Sequence, residues 1–105
     1  MAWPNDADGD VLRRLKDNGF DFTKEYEIEF NVDFDNWPPP EEAINKVKEN
    51  YPNTEIVEPE EGYEGYLLFQ VRVKVSYDLV TSIQRKVSEL VKPYGGVCES
   101  WGVMH

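Results

Sequence analysis

Glu25-Tyr26-Glu27-Ile28-Glu29-Phe30-Asn31-Val32-Asp33-Phe34 alternates polar and apolar side chains without a break. In an extended chain, Tyr26, Ile28, Phe30, Val32 and Phe34 point one way, and Glu25, Glu27, Glu29, Asn31 and Asp33 point the other. A period of two is the signature of a strand, and its polar row implies a sheet that is wet on one face. The dry face needs a covering layer, so the flanking sequence decides the architecture.

Upstream, the spacing predicts a helix over about residues 7–18, with a narrow stripe of Val11, Leu12 and Leu15. Asp6 or Asp8 can cap it, Asp10 suits its positive end, and Asn18-Gly19 stops it. Downstream, Asn36-Trp37-Pro38-Pro39-Pro40 ends the strand, and the last proline pre-sets a second helix over about 40–50. Ala43, Ile44, Val47 and Tyr51 form the apolar side of that helix. A short strand over 54–58 turns at Pro59-Glu60-Glu61-Gly62 into a longer one over about 65–75, whose apolar row is Leu67, Phe69, Val71, Val73 and Val75. A third helix is expected from about Asp78 to Val91, with a stripe of Val80, Ile83, Val87 and Leu90. Lys92-Pro93-Tyr94-Gly95-Gly96 breaks it before a last strand over about 97–103.

The order is α-βαββαβ. Right-handed crossovers and direct turns interlock two split βαβ units. The expected fold is therefore an α+β ferredoxin-like sandwich, with a four-stranded, mostly antiparallel sheet, helices on one face and an extra N-terminal helix. One domain over 1–105 accounts for the whole chain. Glu27 and Glu29 are expected to lie near Arg72 and Lys74 on a neighbouring parallel strand, in exposed pairs worth only about 0–1 kcal/mol each.

Charge narrows the function. Of the 105 residues, 21 are Asp or Glu and 11 are Lys or Arg, a formal net charge of −10. The acidity is uneven, because 17 of the acids and only six of the bases fall in residues 1–61. Such a chain repels phosphate, so nucleic acid is a poor direct partner, whereas opposite potentials speed encounter with a basic protein segment. Cys98 is the single cysteine, which excludes an internal disulfide or a cysteine metal cage. No apolar run approaches the roughly 18 residues of a membrane span, and no signal peptide opens the chain, so a cytoplasmic protein is expected.

Chemistry finds few parts. Asp6-Ala7-Asp8-Gly9-Asp10 opens like a calcium loop, but Val11 and Asp17 occupy the places where Gly and Glu are required. Helix capping is the better reading, and no metal or cofactor is expected. Glu64-Gly65-Tyr66-Leu67-Leu68-Phe69-Gln70-Val71 mimics an RNA-recognition strand, yet its first position is acidic and Leu68 stands where a stacking ring belongs. His105 is the single histidine and the last residue, so a Cys98–His105 pair would need the terminus to fold back; a small buried thiol is the expectation for Cys98. No two carboxylates are singled out as an acid/base pair. An enzyme is not expected.

Trp101 lies on the last strand, where alternation puts Val97, Glu99 and Trp101 on one side and Cys98, Ser100 and Gly102 on the other. If the small residues face the helices, Trp101 stands on the open face beside Glu99, shaped like a binding hot spot. Packing at the margin of the core is the alternative. The candidate partner-binding set is Glu27, Glu29, Asp33 and Asp35 for steering charge, with Trp101 as anchor.

Three stretches carry a resemblance. They are Asp8-Gly9-Asp10-Val11-Leu12-Arg13-Arg14-Leu15, the Asn18-Gly19-Phe20-Asp21 break with Tyr26-Glu27-Ile28-Glu29-Phe30, and Tyr94-Gly95-Gly96-Val97-Cys98-Glu99-Ser100-Trp101-Gly102-Val103. Together they resemble the family of regulator of ribonuclease E activity B, a ribonuclease E inhibitor domain. The resemblance implies a ferredoxin-like sandwich and a small acidic protein that binds the enzyme's basic non-catalytic region, lowering RNA cleavage without performing chemistry. It supplies no contact residues. A monomer or weak dimer is expected; the alternative is a ligand-sensing or self-associating sandwich that uses its open face.

Overall fold

A computed structural model describes residues 3–104. Its elements are α1 (Ala7–Asp17), β1 (Glu25–Phe34), α2 (Glu41–Asn50), β2 (Glu55–Val57), β3 (Tyr66–Lys74), α3 (Tyr77–Val91), a short 3-10 turn (Lys92–Tyr94) and β4 (Gly96–Met104). The strand order is β2-β3-β1-β4, and every neighbouring pair is antiparallel. This is the ferredoxin-like α+β arrangement, with α1 added at the front.

One expectation is corrected here. Arg72 and Lys74 do face the β1 acids, but across an antiparallel ladder in which Glu27 opposes Arg72 and Glu25 opposes Lys74. The helical crossover makes β1 parallel to β2. β3 then returns from β2 by a direct turn and inserts between them, so the parallel strands are not neighbours.

The alternation of β1 is realised in its burial. Ile28, Phe30 and Val32 are fully buried, and Phe34 nearly so. They meet Leu67 and Phe69 from β3, Ala43 and Val47 from α2, and Val80, Val87 and Val91 from α3. The Phe30 and Phe69 rings stack 5.3 Å apart, and Tyr51 stacks on Phe69 at 4.1 Å. Emptying such a site by Phe→Ala costs about 3–5 kcal/mol. This central stack holds the sheet to its helices.

Helix α1 begins as expected, with the Asp6 carboxylate accepting from the Gly9 N–H at 2.7 Å. A Cβ on Gly9 would lie 2.0 Å from the Pro4 carbonyl oxygen, so only glycine permits that close approach. Asp8 joins α1 to the rest of the fold. Its Oδ1 accepts from Gln84 Nε2 on α3 at 3.1 Å and from Trp101 Nε1 on β4 at 2.8 Å.

That contact decides between the two placements weighed for Trp101, in favour of packing at the margin of the core. The indole is 9% exposed and faces the helices with Cys98, instead of standing on the open face. The cause is a bulge. Asn31 opposes Ser100 but Asp33 opposes Val97, so two steps along β1 match three along β4. The extra residue resets the alternation, and both Cys98 and Trp101 turn inward. Trp101 then lies opposite buried Phe30, and its N–H finds the acceptor a buried indole needs.

Candidate functional site

The polar row of β1 crosses the open face of the sheet. With a rise of about 3.3 Å per residue, Glu27 and Asp33 stand roughly 20 Å apart along it. The two ends of this row have different surroundings.

At the end where β1 starts, Arg72 and Lys74 stand across from Glu27 and Glu25, while Glu29 faces Gln70 and Gly102. Opposite charges are adjacent here without closing a contact. Among the described residues the ion pairs within 4.0 Å are Asp10–Arg13 and Asp21–Lys24, both elsewhere on the surface. Acid and base are nonetheless matched locally, and the field of this end is weak.

At the other end, Asp33, Asp35, Glu64 and Glu99 line a groove of about 370 Å³ together with Phe34 and Val97. All four acids line it, and the lining contains neither Lys nor Arg. The backbone N–H of Asp35 donates to the Gly95 carbonyl at 2.9 Å, which ties this end of β1 to the turn before β4. Asp33 is half-buried. Its carboxyl is held above the ordinary carboxylate range, first by burial and then by the charges of Glu99 and Glu64.

A second, smaller groove adjoins the first and shares Phe34, Asp35 and Glu64 with it. Trp37, Pro59, Tyr63 and Gly65 complete its walls. Trp37 lies flat over Gly65, where a Cβ would come within 2.6 Å of the ring, and Trp37 Nε1 donates to Glu58 Oε2 at 3.4 Å. Tyr63 is 77% exposed, an aromatic ring offered to solvent beside the acids. Such a rim suits Arg, whose guanidinium combines charge with a stackable plane.

The sequence-derived candidates thus separate. Asp33 and Asp35 come together in the groove, Glu27 lies along the same face across from Arg72, Glu29 lies between Gln70 and Gly102, and Trp101 is interior. Glu64 and Glu99 are not among the candidates, although Glu99 is already expected on the open face and a signal exists for both. In an antiparallel sheet the end of β1 meets the starts of β3 and β4, and these two acids stand at those starts.

The groove is not shaped for an ion. Among the described residues no three His, Cys, Asp or Glu side chains converge to hold a metal. Cys98 is buried, its thiol is pushed up to about 12, and the dominant cause is desolvation. Ser88 Oγ accepts from the Cys98 N–H at 2.9 Å and donates to its carbonyl at 3.1 Å, so α3 covers the edge of β4 at this point. The suggested Cys98–His105 pair lies outside the described residues. No described helix is long and apolar enough to cross a membrane.

The family model described as Regulator of ribonuclease activity B matches residues 5–103. The chain belongs to this family. Comparison with curated proteins returned no match. Membership in the regulator B family makes the chain a regulator of ribonuclease activity, and it gives the resemblance a physical meaning. Two of the three stretches that carry it, around Asp8 and around Trp101-Gly102, are the partners in the half-buried hydrogen bond that ties α1 to β4. In this regulator B chain the Trp-Gly ending is a fastening of the fold.

Proposed function

We propose that this regulator B protein restrains a ribonuclease E-type enzyme by association alone, docking onto a basic segment of the enzyme's non-catalytic region. The observation that carries the reading is the groove of Asp33, Asp35, Glu64 and Glu99, whose lining offers no compensating cation. An Arg-rich segment would supply the missing charge, and Trp37 and Tyr63 supply ring faces beside the acids. Glu27 and Glu29 extend the negative face and steer approach, with a contribution reduced by Arg72 and Lys74. The chain's net charge of −10 acts in the same direction over longer range.

The test is RNA cleavage by the intact ribonuclease and by its isolated catalytic region, each with and without this protein. Cleavage by the intact enzyme should slow, and cleavage by the catalytic region should not. Association with the basic segment should also slow markedly between low and physiological salt, as steered encounters do. Equal inhibition of the two enzyme forms would refute docking on the non-catalytic region. An association rate indifferent to salt would refute the electrostatic mechanism.

A further inference from the structure

At the opposite end of β3 from the acidic groove, Val75 to Asp78 lead out of the strand into α3 and close one side of a cavity of about 620 Å³. That volume falls within the range of small-molecule sites. Leu12 and Val75, both nearly or wholly buried, form an aliphatic floor. Trp3, Phe22 and Tyr77 contribute three aromatic rings to the walls. The Trp3 and Phe22 centroids are 5.7 Å apart with their planes tilted by 45°, so two ring faces meet at an angle. Arg13 Nη1 donates to the Trp3 carbonyl at 3.0 Å and holds that residue in place.

The electrostatics of the cavity are lopsided. Asp78 lines it, and the Tyr77 hydroxyl donates to Asp6 Oδ2 at 2.6 Å. The Tyr77 phenol is pushed up chiefly by that hydrogen bond, then by burial and by the charges of Asp6, Asp8 and Asp78. Three carboxylates therefore act on this ring. Against them stands Lys16, the one basic residue of the lining, which is exposed, while Arg13 is paired with Asp10. A carboxylate ligand would meet a negative field. A neutral one would gain the walls alone, and a cation gains both the ring faces and the field.

We propose that this cavity binds a small organic cation, a quaternary ammonium with an apolar body, seated against Trp3, Phe22 and Tyr77 with Asp78 as counter-charge. The site is separate from the docking groove and does not depend on the function proposed for it.

Titration of the whole protein with benzyltrimethylammonium, followed by tryptophan emission and by NMR shifts of the Trp3 indole, tests the proposal. Saturable binding is expected, with choline binding about tenfold more tightly than its neutral isostere 3,3-dimethylbutanol. Trp3→Leu and Phe22→Leu should each weaken binding by about tenfold. Asp78→Asn should weaken it by about threefold and Lys16→Gln should tighten it, since both are surface charges. These last two variants leave the core intact and keep the test valid if the aromatic ones unfold. Equal affinity for the neutral isostere, preference for 3-phenylpropionate, or no saturable binding of the ammonium probe would each overturn it.

Discussion

The two ends of the open face of β1 carry similar acids and differ in what stands opposite. Glu25 and Glu27 look across at Lys74 and Arg72, whereas Asp33 looks across at Val97 and is crowded by Glu64 and Glu99. A carboxylate with a cation as cross-strand neighbour has part of its field cancelled before any partner arrives. One that is half-buried and surrounded by other carboxylates keeps its field and resists ionisation, first through desolvation and then through its neighbours' charges. Counting acids along the chain misses this, because the decisive variable is the neighbour across the sheet.

The sharpest way to break the comparison is to neutralise each end separately. Asp33→Asn/Glu64→Gln/Glu99→Gln should weaken binding of an arginine-rich peptide by about 30-fold at low salt, roughly 2 kcal/mol. Glu27→Gln/Glu29→Gln should cost less than about threefold. Isothermal titration calorimetry reads both, and equal losses would dissolve the distinction between the ends.

Trp101 separates folding from docking. Trp101→Phe removes the donor to Asp8, and urea unfolding should show a loss of about 1–2 kcal/mol. Affinity for the same peptide should not change. A drop in affinity with unaltered stability would return Trp101 to the binding surface.

A smaller effect is expected from the matched end. Arg72→Gln removes the charge opposite Glu27 and should tighten peptide binding by about twofold, read as a change in association rate. An unchanged rate would mean that Arg72 does not mask the acids.

The smallest effect is in the pH dependence. Folding raises the Asp33 pKa above its ordinary value of 3.8, so the folded protein holds this proton more tightly than the unfolded chain. The associated stability is fully present below the unfolded value and is lost as pH rises through the folded one. Asp33→Asn should therefore flatten the acid side of the stability profile and slightly raise the melting temperature at neutral pH. Peptide binding favours the ionised carboxylate, so affinity in the parent protein should rise with pH across the same window. A melting temperature lowered by Asp33→Asn would contradict this.

Much of the fold was legible because its determinants are local. The period of two in β1, the Asp6 cap of α1 and the proline entry to α2 each depend on residues a few positions apart, and all three appear in the structure. The site was half legible. Asp33 and Asp35 were visible as acids at the end of a strand, but their companions Glu64 and Glu99 are some 30 and 65 residues further along the chain. Only a commitment to antiparallel neighbours would have brought the four together. Trp101 was unreadable by alternation, because one extra residue in β4 between Val97 and Ser100 inverts the pattern after it. A bulge leaves no mark in a run such as Cys98-Glu99-Ser100.

By itself, then, the sequence determined the succession of helices and strands, the excess of negative charge and the family to which the chain belongs. Each of these is a property of residue types and their short-range order. Only the tertiary structure decided which carboxylates share a groove, which are faced by cations, and that Trp101 fastens α1 to the sheet. Those outcomes depend on the register between strands that are distant in the chain. Burial of Phe30 against Trp101 and Phe69 sets that register, and no local pattern encodes it.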